Sequence, residues 1–157
     1  MDKAWHKMSG EIAMTTKEYL KQAYRLDQKI NSGIEEVARL REMVVSVTNS
    51  GFGEKVQTSR STEASFVKSI EKIIALEERI NEEIDLYVNL KTKIIEVIHG
   101  VEDVDCRSIL EKRYLRYMSW ENIAAEMAYS ESWVLKLHRR ALKAVEAILK
   151  EKGVSPE

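Results

Sequence analysis

The chain has 157 residues and a formal net charge of −1, with 44% hydrophobic and 32% charged residues. That apolar share excludes a disordered tail, the single cysteine, Cys106, excludes an internal disulfide framework, and one Pro with 6 Gly leaves too little turn chemistry for an all-β fold. No apolar run approaches the roughly 18 residues that a membrane span needs, and no secretory leader pattern opens the chain, so the expectation is an all-α protein of the cytoplasm with no membrane partner. Charge is unevenly spread. Residues 63–105 carry 5 Lys+Arg against 11 Asp+Glu, whereas residues 106–157 carry 10 against 7. An acidic middle and a basic end predict different partners for the two parts.

Residues 1–14 show no period and read as a flexible N-terminal extension. Thr15 with Glu18 three residues on forms a capping box, the start signal of a helix. Apolar residues then recur at heptad spacing: Tyr19, Leu26, Gly33, Leu40 and Val47 in one row, Ala23, Ile30, Val37 and Val44 in the other. This predicts a helix from Thr16 to Thr48. The Gly/Ser/Thr-rich run from Asn49 through Thr62 reads as a loop. A second seam follows at Phe66, Ile70, Ile73, Glu77, Ile80, Ile84, Tyr87, Lys91, Ile94 and Ile98, predicting a helix from Ser65 to His99 with Gly100 closing it. Two helices of about 50 Å each, joined by one loop, predict an antiparallel hairpin over residues 15–100 that serves oligomerisation or partner binding.

Beyond Val101 the pattern breaks into three short pieces. Asp103 or Asp105, Ser119 and Ser130 stand where helix caps belong, and the third helix runs to Lys152 before Gly153. The fold expected is therefore a long coiled-coil-like antiparallel hairpin followed by a C-terminal trihelical helix-turn-helix unit over residues 101–153. Ile123, Ala124 and Met127 form one apolar patch, and Val134, Leu137, Ala141 and Leu142 form another, with Ala128-Tyr129 as a short link. Trp120 and Ile123 are expected in that core beside Leu110 and Tyr114. With the second patch inward, Glu131, Ser132, Leu135, Lys136, Arg139 and Arg140 point outward. Lys136 and Arg139 share a face, and such side chains grip phosphates and guanine edges. Trp133 either stacks on a sugar or supports the fold.

Ile109-Leu110 through Arg113-Tyr114-Leu115, Ser119-Trp120-Glu121-Asn122-Ile123-Ala124, Tyr129-Ser130, Val134 and Arg140-Ala141-Leu142 together resemble the region-four helix-turn-helix of bacterial sigma factors. From Thr15 onward the chain is similar to phage and prophage sigma-region-four-like proteins, in kind like the ArpU and RinA late-gene transcription regulators. It departs from sigma modules at Ala128, where they usually carry Gly. The resemblance implies double-stranded DNA as partner, read by the last helix. The candidate DNA-binding set is Ser130, Ser132, Trp133, Lys136, Arg139, Arg140 and Lys143. It also implies RNA polymerase as a possible second partner, a bacterial host cell and a role in regulating transcription. These 157 residues show no counterpart of the promoter-melting region, so a complete sigma factor is not the expectation. Two other readings stand beside it: a small-terminase-like DNA-recognition subunit of phage packaging, and a helical adaptor that binds polymerase or another protein.

Nothing in the sequence points to an enzyme, a cofactor or a metal. His6, His99 and His138 lack zinc-ligand spacing, and His138 is expected at the core edge or near a phosphate. Cys106 reads as a small core residue. Glu77-Glu78 and Glu82-Glu83 read as a solvated helix face. Gly51-Phe52-Gly53 lacks the Gly-Lys-Ser/Thr ending of a phosphate loop. Gln57 to Ser61 reads as the hairpin tip, with contact to DNA or a partner as the sharper alternative. Glu77 and Lys91 interrupt the second seam seven residues either side of Ile84. In an antiparallel homodimer centred there they face each other twice; otherwise they reach solvent at the hairpin edge.

Overall fold

The computed structural model describes residues 14–50 and 59–154. Among these, α1 spans Thr16–Ser50, α2 spans Ser59–His99, α3 spans Val104–Leu110, α4 spans Trp120–Met127 and α5 spans Glu131–Glu151; a π-helical segment, Glu111–Leu115, continues α3. The capping box at the start of α1 forms as the sequence predicts. The Glu18 backbone N–H donates to Thr15 Oγ1 at 3.3 Å and the Thr15 N–H donates to Glu18 Oε2 at 2.9 Å. Helix α2 begins at Ser59, inside the stretch expected to be loop through Thr62. Ser, Thr and Arg are tolerated in a first helical turn, so polarity alone misplaced that boundary. Gln57 and Thr58 lie outside the described residues, as do 1–13 and the glycines at 51 and 53.

The chain divides into two compact units: one of residues Arg25–Asn89, the other of the described residues before and after them. The boundary expected between residues 100 and 101 falls inside the second of these.

Within Arg25–Asn89, α1 and α2 run antiparallel. Lys29 pairs with Glu83 at 2.7 Å, Gly33 lies against Ile80, and Arg41 pairs with Glu77, so partners descend one helix as they ascend the other. Ile30, Val37, Ile73 and Ile80 form the buried line, flanked by Leu26, Leu40, Val44, Leu76, Ile84 and Tyr87. A Cβ on residue 33 would stand 3.0 Å from Ile80 Cγ1, which is why the one blank in the first seam is a glycine. Three expectations fail here. Val47 and Phe66, assigned to the seam, are exposed. Glu83, assigned to a solvated face, is buried, paired across the hairpin with Lys29 and along its own helix with Arg79 at 3.5 Å. Those cations hold its carboxyl below the usual range, the Lys29 hydrogen bond foremost. Glu77 and Lys91 are engaged inside the chain, Glu77 by Arg41 and Lys91 over the Tyr117 ring at 5.4 Å.

The other unit draws its core from every element it contains. Leu20 and Ala23 come from α1, Ile94, Val97 and Ile98 from α2, and Val101 from the connection; all are buried. Cys106, Ile109 and Leu110 of α3, Tyr114 of the π segment, Ile123 and Ala124 of α4, and Val134, Leu137, Ala141, Val145 and Leu149 of α5 complete it. Each such large side chain withdrawn from water contributes about 1.5–3 kcal/mol before entropy is subtracted. Leu20 and Leu149 sit outside the rows expected from periodicity. Trp120, expected inside, is half-buried, and Leu142 is also only half-buried.

Candidate nucleic-acid interface

The caps fix where α3, α4 and α5 begin. Asp103 accepts from the Cys106 backbone N–H at 2.9 Å, Ser119 Oγ from Asn122 at 3.2 Å, and Ser130 Oγ from Trp133 at 3.3 Å. Each satisfies one of the unpaired N–H groups that open a helix. Helix α4 ends on Ala128, whose φ of 55° puts it in the left-handed region. The Ala128 N–H donates to Ala125 O at 3.3 Å and the Tyr129 N–H to Ala124 O at 3.0 Å, closing the helix by a reversal that Gly ordinarily supplies. The turn thus closes α4 with alanine at the strained position. Ser130, two residues on, caps α5.

The inner side of this pair of helices is a closed core: Ile109, Ile123, Ala124, Val134 and Leu137, with Met118, Trp120 and Met127 packed on it. His138 belongs to that inner side. It is 5% exposed, not at a phosphate-facing edge. Its Nε2 lies 2.9 Å from the Tyr114 hydroxyl, and the Trp120 ring meets it edge-on with centroids 4.6 Å apart. Burial pushes its pKa down to about 4, aided by the nearby Lys17 and Arg113 charges, so the ring is neutral at pH 7. Burial pushes the Tyr114 hydroxyl up to about 12. The spacing of Val134, His138 and Ala141 already places the histidine on the apolar side; its polarity hid that.

Cys106 is buried, with its Sγ 3.7 Å from the Leu137 carbonyl, and burial raises its thiol to about 11. An inert structural thiol fits that environment.

Much of the basic end of the chain is used internally. Lys112 and Arg116 both bind Glu126 of α4, Arg116 at 3.3 Å, and lower its carboxyl, the Lys112 hydrogen bond foremost. Arg113 donates to the Met118 carbonyl at 2.7 Å and lies 4.5 Å over the Trp120 ring. Arg140 pairs with Asp103. The Tyr129 hydroxyl donates to Asp105 at 3.1 Å, and that bond raises its pKa.

The residues expected to read DNA lie along one helix. Ser130 is the cap of α5 and Ser132 stands 3.3 Å from it, hydroxyl to hydroxyl. Trp133, Lys136, Arg139, Arg140 and Lys143 are all exposed, and Lys136 stands 5.5 Å over the Trp133 ring. Spacings of three and four residues put Ser132, Lys136, Arg139 and Lys143 on one side, with Trp133 and Arg140 beside them. Among the described residues, Arg139 and Lys143 carry no ion pair. From Ser132 to Val145 the helix bears these four cations and no carboxylate. What sequence reasoning missed is the hold on Arg140: Asp103 was legible as a cap, but no periodicity links it to a residue 37 positions away.

His99 of α2 stands 3.5 Å from Glu111, and His6 lies outside the described residues. No described helix is long and apolar enough to cross a membrane. No curated protein and no solved structure matches the chain. Residues 54–146 match the model of a family described as a protein of unknown function, DUF1492; the match covers more than half of the chain, which therefore belongs to that family.

Proposed function

We propose that this protein is a sequence-specific DNA-binding transcription regulator of a phage or integrated element, reading double-stranded DNA with α5. The observation that carries the reading is the pairing of α4 and α5 through a three-residue turn, with an exposed side of the second helix that bears four cations and no carboxylate of its own from Ser132 to Val145. A helix so presented fits the major groove, where cations meet phosphates and guanine edges. The resemblance to sigma region four supports the same assignment. The reader acts in the bacterial cytoplasm as a homodimer addressing two half-sites, and the Arg25–Asn89 hairpin serves assembly or contact with RNA polymerase.

Selection of duplexes from a random pool by the full chain, followed by Lys136→Ala and Arg139→Ala, tests this. Each variant is expected to bind more weakly while circular dichroism stays helical. A lost phosphate contact lowers the salt slope of affinity by about one unit. Wild-type binding by both variants removes α5 as the reader. Molar mass in solution tests the dimer, and a promoter-reporter assay separates regulation from packaging.

A further inference from the structure

Trp133 is the one large aromatic side chain on the basic face of α5. It is 45% exposed. The core beneath α5 is formed by Ile109, Ile123, Ala124, Val134 and Leu137, with Met118, Trp120 and Met127 packed on it. Its backbone N–H, held by Ser130 Oγ, fixes it in the first turn of α5, the part of a recognition helix that approaches base edges. Lys136, one turn later, keeps its ammonium 5.5 Å over the indole ring, so a cation and an apolar surface are presented side by side.

The chemistry of the major groove has one counterpart for such an apolar surface. Base edges there carry hydrogen-bond donors and acceptors, and the exception is the C5 methyl group of thymine. An indole has a single N–H and no acceptor, so among the base-edge groups of the major groove its apolar surface is matched by that methyl. The flanking cations supply the charge complementarity to phosphate that brings the two together.

We propose that Trp133 is a specificity-determining residue whose indole packs on a thymine methyl group, with Lys136 engaging the adjacent phosphate or guanine edge. The proposal rests on the DNA-reading role given to α5 above. It names the base feature which that role requires.

The test replaces each thymine of a selected duplex by deoxyuridine, which removes the methyl and leaves the pairing edge intact. At one position per half-site, wild-type affinity is expected to fall about four-fold, the worth of one methyl group withdrawn from water. Trp133→Ala, checked for helicity, is expected to bind the thymine and uracil duplexes equally. A wild-type protein indifferent to every replacement overturns the assignment of Trp133 without using any variant, and leaves DNA reading by α5 standing. A Trp133→Ala protein that keeps the four-fold loss also overturns it. A random pool that yields no preferred sequence overturns the DNA-reading role itself, and the thymine contact with it.

Discussion

The guanidinium of Arg140 on α5 pairs with the carboxylate of Asp103, the same side chain that caps α3 by accepting from Cys106. One acid therefore starts one helix and holds another. Asn caps as well as Asp but carries no charge, whereas Ala does neither. Urea midpoints are expected to fall in the order wild type, Asp103→Asn, Asp103→Ala. The backbone N–H of Cys106 first, and Arg140 with it, hold this carboxyl below its usual pKa. Its stabilisation is thus present above the ordinary carboxylate pKa and is lost as pH falls through the lowered folded value.

A second acid-sensitive group works in a higher window. His138 is neutral in its core of Tyr114 and Trp120, with Lys17 and Arg113 as the charges that oppose its protonation. Its pKa falls from the ordinary 6.5 to about 4 on folding, so between those values the unfolded chain binds the extra proton. Stability from this residue is complete above pH 6.5 and declines toward pH 4, by on the order of 3 kcal/mol. His138→Gln keeps a partner for the Tyr114 hydroxyl and has no such proton. The difference in unfolding free energy between wild type and this variant, followed from pH 7 to pH 4, is expected to shrink by that amount.

Ala128 stands at φ 55°, where an L side chain costs about 1–2 kcal/mol. Gly removes that strain and adds back some unfolded-state entropy. Ala128→Gly is expected to stabilise by about 0.5–1 kcal/mol in chemical denaturation. Tyr117 is also at positive φ, 57°, but its ring meets Tyr24 edge-on at 5.1 Å and carries Lys91 above it. Tyr117→Gly forfeits those contacts and is expected to destabilise.

Gly33 gives the opposite expectation from Ala128. Mid-helix Gly→Ala ordinarily gains about 1 kcal/mol, but here the new Cβ meets Ile80 Cγ1 at 3.0 Å and Cδ1 at 3.1 Å. Overpacking costs about 1–3 kcal/mol and outweighs the gain in propensity. Gly33→Ala should therefore destabilise in the wild-type background. Placed in Ile80→Ala, which removes both clashing atoms, the same change should stabilise relative to Ile80→Ala alone. Thermal or urea unfolding of the four proteins closes the cycle.

Periodicity carried most of the fold. Ile30, Val37, Ile73, Ile80, Ile123 and Val134 occupy the buried positions that their spacing assigns, and Thr15, Ser119 and Ser130 cap the helices they were expected to cap. Failures came where a residue's type misstates its surroundings. Glu83 and His138 are polar yet withdrawn from water, with Lys29 and the Tyr114 hydroxyl as their partners. Val47 and Phe66 are apolar yet exposed. The π segment escaped too: its extra residue per turn, marked by the Arg116 N–H donating to Glu111 O at 3.0 Å, has no periodic signature over five residues. The exposed side of α5 was legible from the same spacing that buries Val134 and Ala141, but the sharing of Arg140 with Asp103 depends on the tertiary path of the chain.

The unit that holds α5 is assembled from both sides of the chain, Leu20 and Ala23 meeting none of their partner segments until Ile94 and later residues exist. A ribosome therefore releases α1 long before that core can close. The Arg25–Asn89 hairpin needs only its own two strands of helix, and it nucleates from contacts nearer in sequence. Synthesis order thus favours the hairpin first and the helix-turn-helix unit last. Shortening α1 and α2 by seven residues each within Arg25–Asn89 preserves their registry, and is expected to leave the late-closing core intact while speeding its closure.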